Sequence, residues 1–203
     1  MGSKAELIIV DDGSSDTTPQ EVNPKLAHLI SHKVNQGKGM AMKTGIKEAH
    51  GDVILFLGGD GQDDPQDIPK LLKAIDRGAD FVIGSRFVAK NSKASVEPLN
   101  LVGNKIITLI FNLLFGVKIT DTQAEFKAIL SKYLKKWRLE SSRYEIETEL
   151  IIKAVRKKLK IVEVSTKRFS RKHGKSHLYQ IPLGRVKFAL RALSIIVKGF
   201  FLW

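Results

Sequence analysis

The feature that most constrains this chain is a recurring figure, a short apolar run that ends abruptly at a cluster of glycine and acidic or polar residues. It appears as AELIIV before DDGSSDTT (residues 5–18), DVILFL before GGDGQDD (52–64) and ADFVI before GSR (79–86). A run of that length without polar alternation reads as a strand buried on both faces, and the cluster after it as a loop carrying helix-capping residues. Stretches of helical period follow at residues 40–49 and 68–77, with another strand candidate at 26–30 and a glycine-rich loop, NQGKG, at 35–39. Further on come helices at 102–115 and 145–158, a strand at 161–164 and a terminal helix from residue 184. Strands alternating with helices of about ten residues imply βα units, hence an α/β fold with a mostly parallel sheet flanked by helices.

Composition narrows the chemistry. The 203 residues contain no cysteine, which excludes disulfides, zinc ribbons and thiol catalysis and leaves oxygen or histidine ligands for any metal. The net charge of +13 is unevenly placed: residues 1–100 carry 12 Lys and Arg against 14 Asp and Glu (net −2), and the rest 22 against 7 (net +15). An anionic partner is implied, to be met by the second half. RNA is a weak candidate, because no aromatic-rich binding signature accompanies the charge, and no nucleic acid is expected. The first residues do not form a signal peptide, so a cytoplasmic location is expected. Residues 106–117 are uncharged for too short a stretch to span a membrane. In the terminal helix Lys187, Arg191 and Lys198 share one narrow sector, leaving Phe188, Leu190, Leu193, Ile195, Ile196, Phe200 and Phe201 on the remaining surface. That pattern suits either a helix lying in a membrane interface or one packed on its own domain.

In open α/β sheets ligands bind beyond the carboxyl ends of the strands, so three polar clusters are expected along one edge. They are Asp11-Asp12-Gly13-Ser14, Gly59-Asp60-Gly61-Gln62-Asp63-Asp64 and Gly84-Ser85-Arg86. Asp60 with the amide oxygen of Gln62 suits a hard divalent cation, and an arginine such as Arg86 matches phosphate oxygens. The alternative for each cluster alone is a solvated turn or helix cap. Gly37-Lys38-Gly39 lacks the spacing of a P-loop, and there is neither a dinucleotide-binding glycine pattern nor a nucleophile elbow. His28 and His32 read as surface residues.

The segments IVDDGSSDTT, NQGKGMAMKTGIKEAHGD, FLGGDGQDDPQDI, DFVIGSRF, LVGNK, FGVKITDTQAEFKA, YEIETELIIKA and RKHGKSHL follow one another in the order of the family 2 glycosyltransferases of GT-A fold. Over residues 5–178 the chain resembles the branch of dolichyl-phosphate mannose synthases, which use nucleotide sugars to glycosylate polyprenyl phosphates. The resemblance implies a glycosyltransferase domain over residues 1–178 and an amphipathic interface helix over 179–203. It implies an inverting transfer of mannose or glucose from GDP-mannose or UDP-glucose to a polyprenyl phosphate, with Mg2+ or Mn2+, peripherally on the cytoplasmic membrane surface. Asp11, Asp12 and Lys38 match donor-binding positions. Asp60 and Gln62 match metal-binding positions, and Arg86 matches a phosphate-contacting arginine. Arg171 matches the arginine of a closing loop that also carries Ser176. Asp121, Gln123 and Lys127 match the acceptor-side motif D-T-Q-x-x-F-K, with Ser176 on the same side. Asp60, Arg86 and Arg171 are thus the expected catalytic set.

A phosphate acceptor is already ionised, whereas a saccharide or protein hydroxyl would need a carboxylate base, for which Asp121 or Glu125 is the candidate. Such a hydroxyl acceptor, or a non-catalytic module that binds a membrane or partner, is the competing expectation. Two departures from the family pattern stand out. Gly58 occupies the place of the usual first aspartate of D-x-D, which predicts weaker cation binding. The resemblance also implies an opening strand, its base-reading loop and a first helix ahead of residue 5, and without them impaired donor binding is expected.

Overall fold

The computed structural model describes residues 5–88, 98–170 and 183–203. Along the chain these form β1 (Ile8–Asp11), β2 (His28–Ser31), α1 (Lys38–Glu48), β3 (Val53–Phe56), α2 (Ile68–Asp76) and β4 (Phe81–Ser85). Then come α3 (Pro98–Phe115), β5 (Lys127–Leu130), the short α4 (Ser131–Leu134), α5 (Ile146–Arg156), β6 (Ile161–Ser165) and α6 (Gly184–Leu202).

The expected α/β arrangement with a mostly parallel sheet holds, with one reversed strand, β5, that makes the larger sheet mixed. β1 and β2 form a parallel pair of their own, while the larger sheet runs in the order β3-β5-β4-β6. β5 is antiparallel to both neighbours, with Ile54 opposite Ile129 and Val82 opposite Ala128, and β4 pairs with β6 in parallel. No strand was expected at β5, because its apolar run is only Ala128-Ile129-Leu130 and it begins at a lysine. Its strand character comes from its neighbours: β4 is buried at every position and needs a ladder on each side.

Side-chain alternation divides two cores. Phe81, Ile83, Ile54 and Ile129 face a large apolar cluster with Met42 and Ile46 of α1, Phe111 of α3, Ile151 of α5 and Ile196 of α6. Val82 and Ala128, with Val53 and Leu55, turn to the opposite face and meet Leu71 of α2. The sheet is therefore covered on both sides, as the unbroken apolar runs imply.

The terminal helix shares this core. Ala192, Ile195, Ile196 and Gly199 are buried, and Gly199 lies so close to α5 that an added Cβ would sit 2.5 Å from Ile152 Cγ2. Arg156 of α5 donates to the carbonyls of Gly199 (3.0 Å) and Phe200, satisfying carbonyls of the last helical turn. Gly199→Val is expected to destabilise the protein by about 1–3 kcal/mol through overpacking against the buried Ile152, read as a lower midpoint in chemical denaturation.

Candidate active site

The first polar cluster closes β1 onto α1. Asp11, at the end of the strand, accepts from the Ser14 amide (3.1 Å) and hydroxyl (2.5 Å). Gly13 takes φ +77° and leaves no room for a Cβ, which would lie 2.7 Å from the Asn35 nitrogen. The Asp12 carboxylate receives Gln36 N (2.9 Å) and Gly37 N (2.7 Å) at the start of α1, and it lies 2.7 Å from His32 Nδ1. Burial alone would raise its pKa, but these backbone donors and His32 hold it below the usual carboxylate range. His32 is therefore not the surface residue expected from sequence. It is half-buried, with Nε2 3.0 Å from Thr44 Oγ1, and so bridges the Asp12 loop to α1.

Immediately after that loop, Lys38 reaches across to the acidic groups of two other elements. Its Nζ is 2.9 Å from Glu125 Oε2 and 2.7 Å from Glu147 Oε1. Burial opposes the ammonium, yet the two carboxylates more than offset it and raise its pKa. Glu147 of α5 also pairs with the fully enclosed Lys127, whose own pKa is lowered by burial. The other oxygen of Glu125, Oε1, is 3.5 Å from Arg168 Nη2. Arg168 in turn donates to Asp63 Oδ1 (3.1 Å) and Gln62 Oε1 (3.0 Å). For Glu125 burial works upward, but Lys38 and then Arg168 bring it down to about 2. Asp63 goes the other way: burial raises it, Arg168 only partly opposes this, and neighbouring Glu125 and Asp60 add to the rise.

The third cluster is fixed by an enclosed ion pair. Arg86 donates through Nε (2.6 Å) and Nη2 (2.7 Å) to the two oxygens of Asp121, and its backbone amide also points to Oδ2 (3.3 Å). This two-point geometry sets the plane of the guanidinium at the end of β4. Gln123 donates to Thr148 Oγ1 of α5 (2.9 Å). Asp121, Gln123 and Lys127 are all enclosed, so any contribution to an acceptor runs through the groups that they hold.

The structure thus brings Lys38, Asp60, Gln62, Asp63, Arg86, Asp121 and Glu125 to one sheet edge. Asp11 ends β1 of the separate β1–β2 pair, and Asp12, through Gln36 and Gly37, adjoins Lys38. Arg171 and Ser176 lie outside the described residues. Sequence reasoning missed Arg168, Glu147 and His32 as members of this region. Only Glu147 carried a signal, as one of two carboxylates in the first turn of α5, beside the apolar run that the helix buries.

A divalent cation fits this edge. Among the described residues no three acidic or histidine side chains form a ready-made cage, so Asp60 and the Gln62 amide oxygen would leave positions for water and phosphate oxygens. The buried Oδ2 of Asp63 has no hydrogen-bond partner, and a Cβ placed on Gly58 would meet Asp60 Oδ1 at 3.4 Å and Asp63 Oδ2 at 3.6 Å. An acidic, incompletely satisfied space is thus open beside Asp60. Gln62 Oε1, now accepting from Arg168, would have to exchange that partner.

The pKa of Glu125 generates a prediction. A carboxyl lowered from 4.5 to about 2 on folding contributes stability that is fully present above the unfolded value and is lost as pH falls toward 2. Urea denaturation should therefore show Glu125→Gln less stable than the parent at neutral pH, with the gap closing progressively between about pH 4.5 and pH 2.

The chain is similar to several known proteins. Residues 2–138 match the Glycosyl transferase family 2 signature. An uncharacterized protein of Methanocaldococcus jannaschii is 35% identical, covering 79% of this chain and 69% of its own. The dolichol-phosphate mannosyltransferase of Pyrococcus furiosus is 32% identical, covering all of this chain and 64% of its own length, so this chain spans about two thirds of either relative. The glucosyl-3-phosphoglycerate synthase of Mycobacterium tuberculosis, solved with Mn2+, UDP-glucose and phosphoglyceric acid, superposes with a TM-score of 0.73 at 18% identity, over 96% of this chain and 68% of that one. The chain belongs to glycosyltransferase family 2 and has the GT-A fold.

Proposed function

We propose that this glycosyltransferase moves a hexose, with inversion, from a nucleoside-diphosphate sugar to a polyprenyl phosphate. One observation carries the choice of acceptor: the two carboxylates that the sequence offers as a base for a hydroxyl, Asp121 and Glu125, are already committed. Asp121 has both oxygens on Arg86, and Glu125 is held by Lys38 and Arg168 with a pKa of about 2, far too low to take a proton from a hydroxyl at neutral pH. A phosphate acceptor needs no such base. The mannosyltransferase relative, named for a dolichol phosphate, supports the same reading.

In this reading an ionised phosphate oxygen attacks the anomeric carbon while the bond to the nucleoside diphosphate breaks, and the electron pair leaves with the diphosphate. Asp60 and Gln62 would hold Mg2+ or Mn2+, which supplies charge neutralisation for the departing diphosphate. A structural neighbour binds Mn2+ together with UDP-glucose. Arg86, its plane fixed by Asp121, adds positive charge at the end of β4, and the Asp11–Asp12 loop orients the nucleotide. Arg171 and Ser176 belong to the same proposal as closing-loop and acceptor-side groups.

The acceptor's lipid chain calls for a membrane surface. No helix among the described residues is long and apolar enough to cross one. Instead α3 exposes Val102, Ile106, Leu109 and Leu113 along one stripe, and α6 exposes Val186, Leu190, Val197 and Phe201 along another. Lys187 and Arg191 lie beside the α6 stripe, a pairing of apolar and basic faces that suits an anionic interface. The two helices pack against each other, so the stripes belong to one unit.

The reading is tested by incubating the protein with labelled GDP-mannose or UDP-glucose, Mn2+ and a polyprenyl phosphate. A lipid-linked product is expected, falling by about 100-fold or more with Asp60→Ala. Transfer to saccharide or peptide hydroxyls, with none to the lipid, would replace it with the competing acceptor class. Separately, Leu190→Glu with Phe201→Glu should abolish co-sedimentation with phosphatidylglycerol vesicles while leaving the melting midpoint unchanged.

A further inference from the structure

Gly58 removes a carboxylate from the place where the family pattern has one, and the fold has put another carboxylate there. A Cβ built on Gly58 would lie 3.1 Å from Glu125 Oε2, tighter than its distances to Asp60 Oδ1 (3.4 Å) and Asp63 Oδ2 (3.6 Å). Position 58 therefore cannot carry a side chain unless Glu125 gives way. Resting on the reading above, we propose that the Glu125 carboxylate replaces in space the side chain that Gly58 lacks, as a second acidic group facing the cation held by Asp60 and Gln62.

Independent features of the site support this. Glu125 is anchored from both sides, Lys38 on Oε2 at 2.9 Å and Arg168 on Oε1 at 3.5 Å, so its charge is held in a fixed place and does not swing on a long side chain. The same cations keep it ionised although its surroundings favour the neutral acid. The Asp63 side chain is nearly enclosed, and its unpartnered Oδ2 is directed into the same space. A buried carboxylate oxygen without a donor is costly unless a positive ligand completes it. Glu125 enters from the segment before β5, 67 positions along the chain from Gly58, so no spacing within GGDGQDD could reveal the exchange. Its function is that of a positioning residue: it sets the charge around the cation without touching the sugar.

The test is a Mn2+ titration of the full chain, followed by the electron paramagnetic resonance of the free ion. Glu125→Gln, which keeps the shape, should weaken Mn2+ binding by about tenfold or more. Glu140→Gln serves as the control, because it removes a carboxylate of the same charge whose partner is Lys198 of α6 and not a group of the site; its Mn2+ affinity should stay near that of the parent. The double variant Gly58→Asp with Glu125→Ala returns a carboxylate by the other route and should recover most of the loss, whereas Gly58→Asp alone should gain nothing. Thermal unfolding without metal shows which variants keep the fold. Unchanged Mn2+ affinity in Glu125→Gln, an equal loss in Glu140→Gln, or no recovery in a folded double variant overturns the proposal. If the parent makes lipid-linked product while Glu125→Gln binds Mn2+ normally, this inference fails and the proposed function stands. If the parent binds Mn2+ through Glu125 yet makes no such product, the reverse holds.

Discussion

Everything at the strand ends depends on Lys38 standing between Glu125 and Glu147. This ammonium joins the start of α1 to the segment before β5 and to α5, which are far apart in sequence. Its pairing propagates outward: Glu147 takes up the enclosed Lys127, and Glu125 takes up Arg168, which reaches Asp63 and Gln62. Enclosed ion pairs contribute little net stability compared with apolar packing, but removing one partner leaves a stranded charge and costs several kcal/mol, roughly 3–5. The network therefore specifies one arrangement of the edge more than it strengthens the fold. The apolar clusters on the two sheet faces do the latter.

Much of the framework was legible because it rests on local pattern. The runs AELIIV, DVILFL and ADFVI became β1, β3 and β4, and the clusters after β3 and β4 meet around Glu125 and Asp63, while the Asp12 loop joins them through the start of α1. What sequence could not show depends on neighbours. β5 is a strand because β4 and β3 each require a partner, although its own residues are few and begin with a buried lysine. His32 reads as a polar residue in a short strand, and only the fold sets it between Asp12 and Thr44. Arg168 sits in a basic stretch with no spacing rule to single it out.

The site residues follow the same division. Asp60, Gln62 and Arg86 were found because they follow buried strands, but the Arg168 that holds Gln62 was not. Arg86 is tied at two points to Asp121 and so is already oriented, whereas Gln62 would first have to exchange its Arg168 contact. Orientation in advance is what electrostatic catalysis requires, since no reorganisation is then left for the moment of reaction. The uneven charge also takes a structural meaning. The near-neutral first half carries the Asp12 and Asp60 loops, while the basic second half carries α6, which places apolar and cationic faces side by side.

The central claim is that the cation and donor diphosphate meet at the edge organised by Lys38 and Glu125. A crystal structure with Mn2+ and a nucleoside diphosphate, with the metal located by its anomalous signal, tests it most directly. The expected result is a Mn2+ peak against Asp60 and Gln62, with the Glu125 carboxylate still held by Lys38 and facing the ion. A peak at any other carboxylate cluster, or a diphosphate bound away from the ends of β3 and β4, would contradict it.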